Sequence, residues 1–474
     1  MAKNGMADLD PELAALIQVI ARGRSYADDT VDLKTRALCT VSCLVGLGEQ
    51  PYIETWVANA ITAGATVEEI ASLMKPALRV RRHAQIGHRV QRARGGARST
   101  RGRRGRQLDE RLLNNMDTVE VAYESCAEII ERCYAEGWTD GLPVVPATTE
   151  LVDRCLAELG WNADDVLFHE PVRHIDVPAG KVVVNAILAG CLPPHIPVVA
   201  AALRAMEHPD FRANVPVAST GGAAPVLLVN GPARDAIGLN CGGNLFGPGH
   251  RANAVIGRAL RLILLNCLGA TPGVLDLSIQ GWTGKYTCCF GENESLSPWA
   301  PFHVRRGFEQ TTSTVTVLAC ESPHNVLTRV GDLDADTLLY CAASVVGGLG
   351  SHSNGQGYLI LSPQHARVLA DAGYDARSVQ EHLFEASRRS IAELKRSGRL
   401  DGRVEIGDDS RTRPRGETPD DILLAVGGSE NGCCSAWFPS WSRGRGSIAV
   451  TAEIAPDGVV LATNPGPTVA PGTG

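Results

Sequence analysis

Between Glu69 and Asp109 the chain has no acidic residue, yet it carries Lys75, Arg79, Arg81, Arg82, Arg89, Arg92, Arg94, Arg98, Arg101, Arg103, Arg104 and Arg106, interleaved with glycines such as Gly95 and Gly96. A run of like charge that lacks apolar periodicity repels itself and has nothing to bury, so it is expected to stay extended. It divides the 474 residues into a short N-terminal piece (residues 1–75), a basic linker (76–117) and a large C-terminal part (118–474). The overall charge of −7 therefore conceals a strongly acidic remainder. Two origins fit residues 76–112: a local reading-frame change in a GC-rich gene, or an arm for nucleic acid. No aromatic residue lies between Trp56 and Met116, so the arm would have no stacking platform, which argues against a nucleic-acid partner.

The piece before the linker reads as all helical. Asp10-Pro11 is an N-cap and first-turn pair, Leu13, Leu16, Ile17 and Ile20 follow at helical spacing, and Gly23 stops the run. Asp32 opens a second helix with Leu38, Val41, Leu44 and Val45 on its apolar face, and a third spans residues 51–64. Thr66 with Glu69 three residues on forms a capping box for a fourth. The strings Lys34-Thr35-Arg36-Ala37-Leu38, Gly48 to Trp56 and Ala63-Gly64-Ala65-Thr66-Val67-Glu68-Glu69-Ile70 resemble the carboxymuconolactone decarboxylase and alkyl hydroperoxidase D family. The thiol pair and histidine of its peroxidase branch correspond here to Glu49, Tyr52 and Trp56, so that redox motif is absent, and Cys39 and Cys43 read as small residues of an apolar face. The resemblance implies a homo-oligomer, since the family assembles through its helices.

From Thr118 onward, short apolar runs at residues 225–230, 313–319, 358–361 and 422–426 read as buried strands. They alternate with helices at 119–136, 252–266, 363–372 and 379–397, which predicts an α/β domain with a mixed or parallel sheet. The N-terminus has no secretory pattern. The two most apolar stretches are broken by Asn185, Pro193, Pro194 and His195 and by Arg258 and Arg261, so no membrane span is expected. A cytoplasmic location follows, in which the fourteen cysteines stay reduced.

Several strings in this part, Gly137-Trp138-Thr139-Asp140-Gly141-Leu142-Pro143, Asn185-Ala186-Ile187-Leu188-Ala189-Gly190-Cys191, Gly247-Pro248-Gly249-His250-Arg251-Ala252-Asn253, Gly284-Lys285-Tyr286-Thr287, Glu292-Asn293-Glu294 and Ser362-Pro363-Gln364-His365-Ala366, resemble the family named for its UGSC motif. The resemblance implies redox chemistry at a cysteine or selenocysteine. The literal motif is missing, and Gly432-Cys433-Cys434-Ser435 is the nearest string.

Three strand ends carry candidate chemistry. The loop with Gly247, Gly249, His250 and Arg251 runs into a helix bearing Asn253 and Arg258, and free N–H groups at a helix start with two guanidinium groups suit an anion. Glycines that merely permit close packing are the rival explanation. Glu292 and His303 form a possible acid–base pair, Cys288 and Cys289 are expected on opposite faces of one strand, one buried and one at the surface, and Cys320 closes another apolar run. Cys433 and Cys434 follow the glycine-rich loop after residues 422–426, where backbone N–H groups would favour thiolate; packing near Trp437 and Trp441 is the alternative. No Cys-x-x-Cys or His-x-x-x-His spacing marks a structural zinc site. The metal and cofactor content stays unassigned, with Cys241, His250, His303 and His324 as a conceivable distant set. The expected function is a thiol-dependent enzyme, redox or covalent, acting on a small anionic organic molecule. The alternatives are a cofactor-independent lyase, decarboxylase or hydrolase using Glu292 and His303, and a non-catalytic ligand-binding protein.

Overall fold

The computed structural model describes residues 34, 35, 38, 57, 60, 61, 63–70, 72, 125–328, 333–430, 432–441, 446–455 and 463–464. The chain divides into two compact units, residues 1–106 and 107–474. In the first, the described residues at 34, 35, 38, 57, 60, 61, 67–70 and 72 are helical, and the capping box is made: Glu69 N–H donates to Thr66 Oγ1 (3.2 Å) while Thr66 N–H donates to Glu69 Oε2 (2.9 Å). The helix expected from Asp10 to Gly23, and the basic linker, lie outside the described residues.

The second unit is an α/β domain with mixed sheets. Its helices are α1 (Cys126–Glu136), α2 (Thr149–Leu159), α3 (Ala179–Ala189), α4 (Ile196–Glu207), α5 (Arg251–Asn266), α6 (Phe302–Arg305), α7 (Ala335–Val346), α8 (Pro363–Asp371), α9 (Ala376–Ala386) and α10 (Ile391–Arg396), with two further five-residue helices, Asn214–Ala218 and Pro232–Ala236, between α4 and α5. Its strands are β1 (Val166–Glu170), β2 (Ile175–Pro178), β3 (Ala224–Asn230), β4 (Cys289–Gly291), β5 (Thr314–Cys320), β6 (His324–Leu327), β7 (Gly357–Leu361), β8 (Arg389–Ser390), β9 (Thr412–Arg413), β10 (Ile422–Val426), β11 (Cys434–Pro439), β12 (Val450–Glu453) and β13 (Thr463–Asn464). One sheet runs β13-β12-β5-β3-β4 and another β10-β7-β11-β6. Only β3 with β4 and β7 with β10 pair in parallel in these two sheets.

Strand alternation shows how the sheets stack. Leu227 and Val229 of β3 and Val315 and Val317 of β5 enter a core with α3, α4 and α5. Leu359 and Leu361 of β7 and Ile422, Leu424 and Val426 of β10 enter a separate core with α7, α8 and α9. The intervening residues, Val226, Leu228, Phe290, Leu318, Tyr358, Ile360, Leu423, Ala425 and Phe438, form a third core that both sheets share. The result is helices, sheet, sheet, helices, with every central strand buried on both faces. That is why these strands read as continuous apolar runs instead of alternating ones.

Two expectations need correction. The helix read over residues 379–397 is broken: α9 ends at Ala386, Arg389–Ser390 pairs with Thr412–Arg413, and Ser390 then caps α10 in a capping box with Glu393. Cys288 is not surface-facing: Cys289 packs in the helix-side core and Cys288 against the core between sheets, since both faces of β4 are covered. Among the described residues no single helix is long and apolar enough to cross a membrane; α3 and the segment 193–207 form a pair bent by 115°, and the apolar residues of both sit in the helix-side core.

Candidate active site at three converging strand ends

β3 and β4 are parallel, so their carboxyl ends lie side by side, and the end of β10 from the other sheet meets them. Glu292, one residue past β4, donates its N–H to Val229 O (3.1 Å), and Asn293 N–H donates to Val426 O (2.8 Å). This crossing turns the Glu292 side chain into the protein. Its Oε2 accepts from Asn230 Nδ2 (2.5 Å) and Phe302 N–H (2.7 Å), and its Oε1 from Val426 N–H (3.3 Å). Glu292 is 1% exposed, and burial raises its pKa against the opposing pull of Arg305 and these three donors.

Asn230 joins this carboxylate to a second one. Its Nδ2 also donates to Glu294 Oε1 (3.0 Å), which accepts from Gly231 N–H (2.7 Å) as well. Arg234 lies alongside, donating to Glu292 O (2.5 Å) and to both carboxylate oxygens of Asp235 (2.9 Å each), with Glu294 Oε1 3.4 Å away. The Arg234 stem runs across Gly291, where a Cβ would stand 2.7 Å from Arg234 Cδ, so only glycine allows the guanidinium this route. Glycine is needed at 231 too, with φ of +80° and a would-be Cβ 2.3 Å from Thr312 O.

His303, in α6, is fully buried; among the described residues neither ring nitrogen completes a well-formed hydrogen bond, although the backbone of Gln310 and Glu309 faces the ring. Burial lowers its pKa; Glu294 and the backbone of Gln310 and Glu309 resist this, and Arg234 adds to it. Asn230 Oδ1 and Thr314 Oγ1, on residues that face each other across β3 and β5, are buried without hydrogen-bond partners among the described residues. The Cys241 thiol is half-buried beside Arg234 and Glu294, and desolvation raises its pKa.

The glycine loop takes another role for its arginines. Arg251 folds onto Gly190 O through Nε and Nη2 (3.0 and 2.7 Å), and Arg258 makes a two-pronged ion pair with Asp140 (2.9 and 2.8 Å). Asn253 clamps Asn240, accepting from its N–H (2.8 Å) and donating to its O (3.0 Å). Gly247 passes Asn244 so closely that a Cβ would sit 2.0 Å from Oδ1, Gly249 has φ of +120°, and His250 is exposed and makes no side-chain cap. The observed geometry is that of a tightly packed loop, and its two guanidinium groups are occupied by protein oxygens.

The cysteines separate. Cys320 is sealed between the sheets, and burial pushes its thiol well above the ordinary range. Cys433 and Cys434 bring their Sγ atoms to 3.8 Å, with Cys434 exposed and Cys433 half-buried. The Cys434 thiol is pushed up by desolvation and by Cys433. Ser435 beside them bonds His365 Nδ1 (2.7 Å), whose Nε2 meets Thr328 Oγ1 (3.0 Å). Among the described residues no group of three or more His, Cys, Asp or Glu side chains can hold a metal ion, so Cys241, His250, His303 and His324 do not converge.

The structure thus gathers Glu292 and His303 with Asn230, Gly231, Arg234 and Glu294. The sequence reading named Glu294 only within its string, and Asn230 and Arg234 were missed. Their one signal is Asn-Gly-Pro directly after an apolar run. No family model, curated protein or solved structure matches the chain.

Proposed function

We propose that the C-terminal unit is an enzyme that moves a proton on a small organic substrate, as a lyase, decarboxylase or hydrolase. Glu294 is the group the substrate meets, since 16% of its side chain is exposed against 2% or less for Glu292 and His303. His303, neutral at pH 7 because burial lowers its pKa, stores the proton behind it. Glu292 positions Asn230, and Asn230 fixes Glu294. The observation that carries this reading is the fully buried imidazole of His303 beside Glu294, its two nitrogens lacking well-formed hydrogen bonds among the described residues. Such a group costs about 1–3 kcal/mol of unmet desolvation, a cost explained if the ring takes up and releases a proton in turnover.

The test is consumption of small hydroxy, keto and carboxylic acids from a metabolite pool by the full chain, followed by Glu294→Gln and His303→Asn. Turnover that falls at least about 100-fold in both folded variants supports the assignment, in line with general acid–base contributions. Full turnover in either variant, or binding without turnover as a ligand-binding protein would show, rejects it.

A thiol-dependent reading rests on a different observation, the 3.8 Å approach of Cys433 and Cys434. Loss of turnover on alkylation, reproduced by Cys434→Ser and absent in Glu294→Gln, would put it first.

A further inference from the structure

The connection between α7 and β7, Gly347-Gly348-Leu349-Gly350-Ser351-His352-Ser353-Asn354-Gly355-Gln356, is ringed by arginines from three later segments. Arg389 Nε donates to Gly347 O (2.7 Å), Arg399 Nε to Leu349 O (2.9 Å), Arg413 to Asn354 Oδ1, and Arg415 to Ser351 O, Gly355 O (3.3 Å) and Gln356 O (3.2 Å). Arg389 and Arg413 are also direct cross-strand partners in the two-stranded β8–β9 ribbon, a placement in which like charges repel.

Carboxylates compensate only part of this charge. Arg415, fully buried and stacked over Trp437 (5.3 Å), feels Glu321 and Asp421, and Glu393 lies 4.0 Å from Arg389. Arg399 and Arg413 have no carboxylate at salt-bridge distance among the described residues, and each uses one guanidinium nitrogen on the loop. Inside the ring, His352 is 4% exposed, and its Nε2 is buried with no hydrogen-bond partner among the described residues. It is held neutral, with a pKa lowered to about 4, by burial and by all four arginines.

We propose that this loop and Arg389, Arg399 and Arg413 bind a small oxyanion of the phosphate type, free or as the phosphoryl group of a metabolite, with His352 Nε2 as a further donor. Three guanidinium groups with unused terminal N–H groups suit the several acceptor oxygens of such an ion. The site is separate from the Glu292 and His303 cluster and does not depend on the acid–base reading.

Calorimetric titration of the full chain with inorganic phosphate at constant ionic strength tests it, with glycerol phosphate and acetate as further arms. The expected result is saturable binding of phosphate that weakens at least ten-fold in Arg399→Gln and in Arg413→Gln and is unchanged in Arg377→Gln, an exposed arginine paired with Glu381 and Asp420. Tighter binding of glycerol phosphate identifies a phosphorylated metabolite as the ligand, equal binding identifies free phosphate, and acetate binding as tight as phosphate overturns the oxyanion class. Histidine NMR should show the His352 pKa rising with phosphate, a response that a purely structural arginine would not give. Absence of saturable binding, an equal loss in Arg377→Gln, or no loss in Arg399→Gln, which is exposed and leaves the fold intact, overturns the proposal.

Discussion

Asn230 Nδ2 donates to Glu292 Oε2 at 2.5 Å, and the same nitrogen reaches Glu294 Oε1 at 3.0 Å. One amide therefore holds two carboxylates in one neighbourhood, and the geometry of the proposed site depends on it.

Replacing Asn230 with Ala removes a buried donor from both acids and should cost about 1–3 kcal/mol in urea unfolding. Asn230→Asp should cost more, because it adds a third carboxylate beside two. An Asp variant as stable as wild type would show that the Asn230 amide does not hold the two acids together.

The Asp140 and Arg258 pair, with 2% and 14% of the side chains exposed, ties the Trp138 to Pro143 turn to α5. Arg258→Ala should destabilise the protein by about 3–5 kcal/mol, since it strands a buried charge. A double-mutant cycle with Asp140→Asn measures the coupling, and additive losses would show that the pair does not interact.

Two buried histidines set an acid limit. His352 and His365 are each lowered from 6.5 to about 4, so between these values the unfolded chain binds more protons than the native one. Stability should be level above about pH 6.5, fall as pH drops toward 4, and flatten below, with each histidine contributing on the order of 3 kcal/mol. Urea midpoints at pH 7.5 and 4.5 check the sign. His365→Gln should shrink the difference, and an unchanged difference would exclude that ring.

Cysteine alkylation should separate surface from core. Cys126 and Cys434 are exposed while Cys289 and Cys320 are buried, so iodoacetamide should label the first two in the native protein and the others only after unfolding. The Cys434 rate should keep rising above the ordinary thiol value of 9.0, because its pKa is raised. A labelling midpoint below that value would restore the activated-thiol reading.

Local patterns were legible in the sequence where local forces dominate. The strand read at residues 422–426 is β10, the helix read from Ala252 is α5 within one residue, and the Thr66 and Glu69 box forms as spaced. Helices α3 and α4 escaped the reading because they are apolar on nearly every side, Ala186 to Ala189 and Val198 to Leu203 being buried. A helix without a polar face has no 3.6-residue period to detect.

Glu292 and His303 were found as residue types near a strand end. Their surroundings were not legible. Asn230 lies 62 residues from Glu292 along the chain and Val426 lies 134 residues from it, and only the parallel pairing of β3 with β4 and the stacking of two sheets brings them together. The same holds for the arginines. The sequence shows that Arg251 and Arg258 flank a glycine loop, whereas their partners, Gly190 and Asp140, are 61 and 118 residues away. The amino-acid order by itself determined which segments have the periodicity and caps to become helices or strands, because those preferences act over a few residues. Which polar groups are neutralised, and which are left buried without a partner, was decided only by the tertiary structure, because burial and hydrogen bonding depend on contacts between segments that no local pattern records.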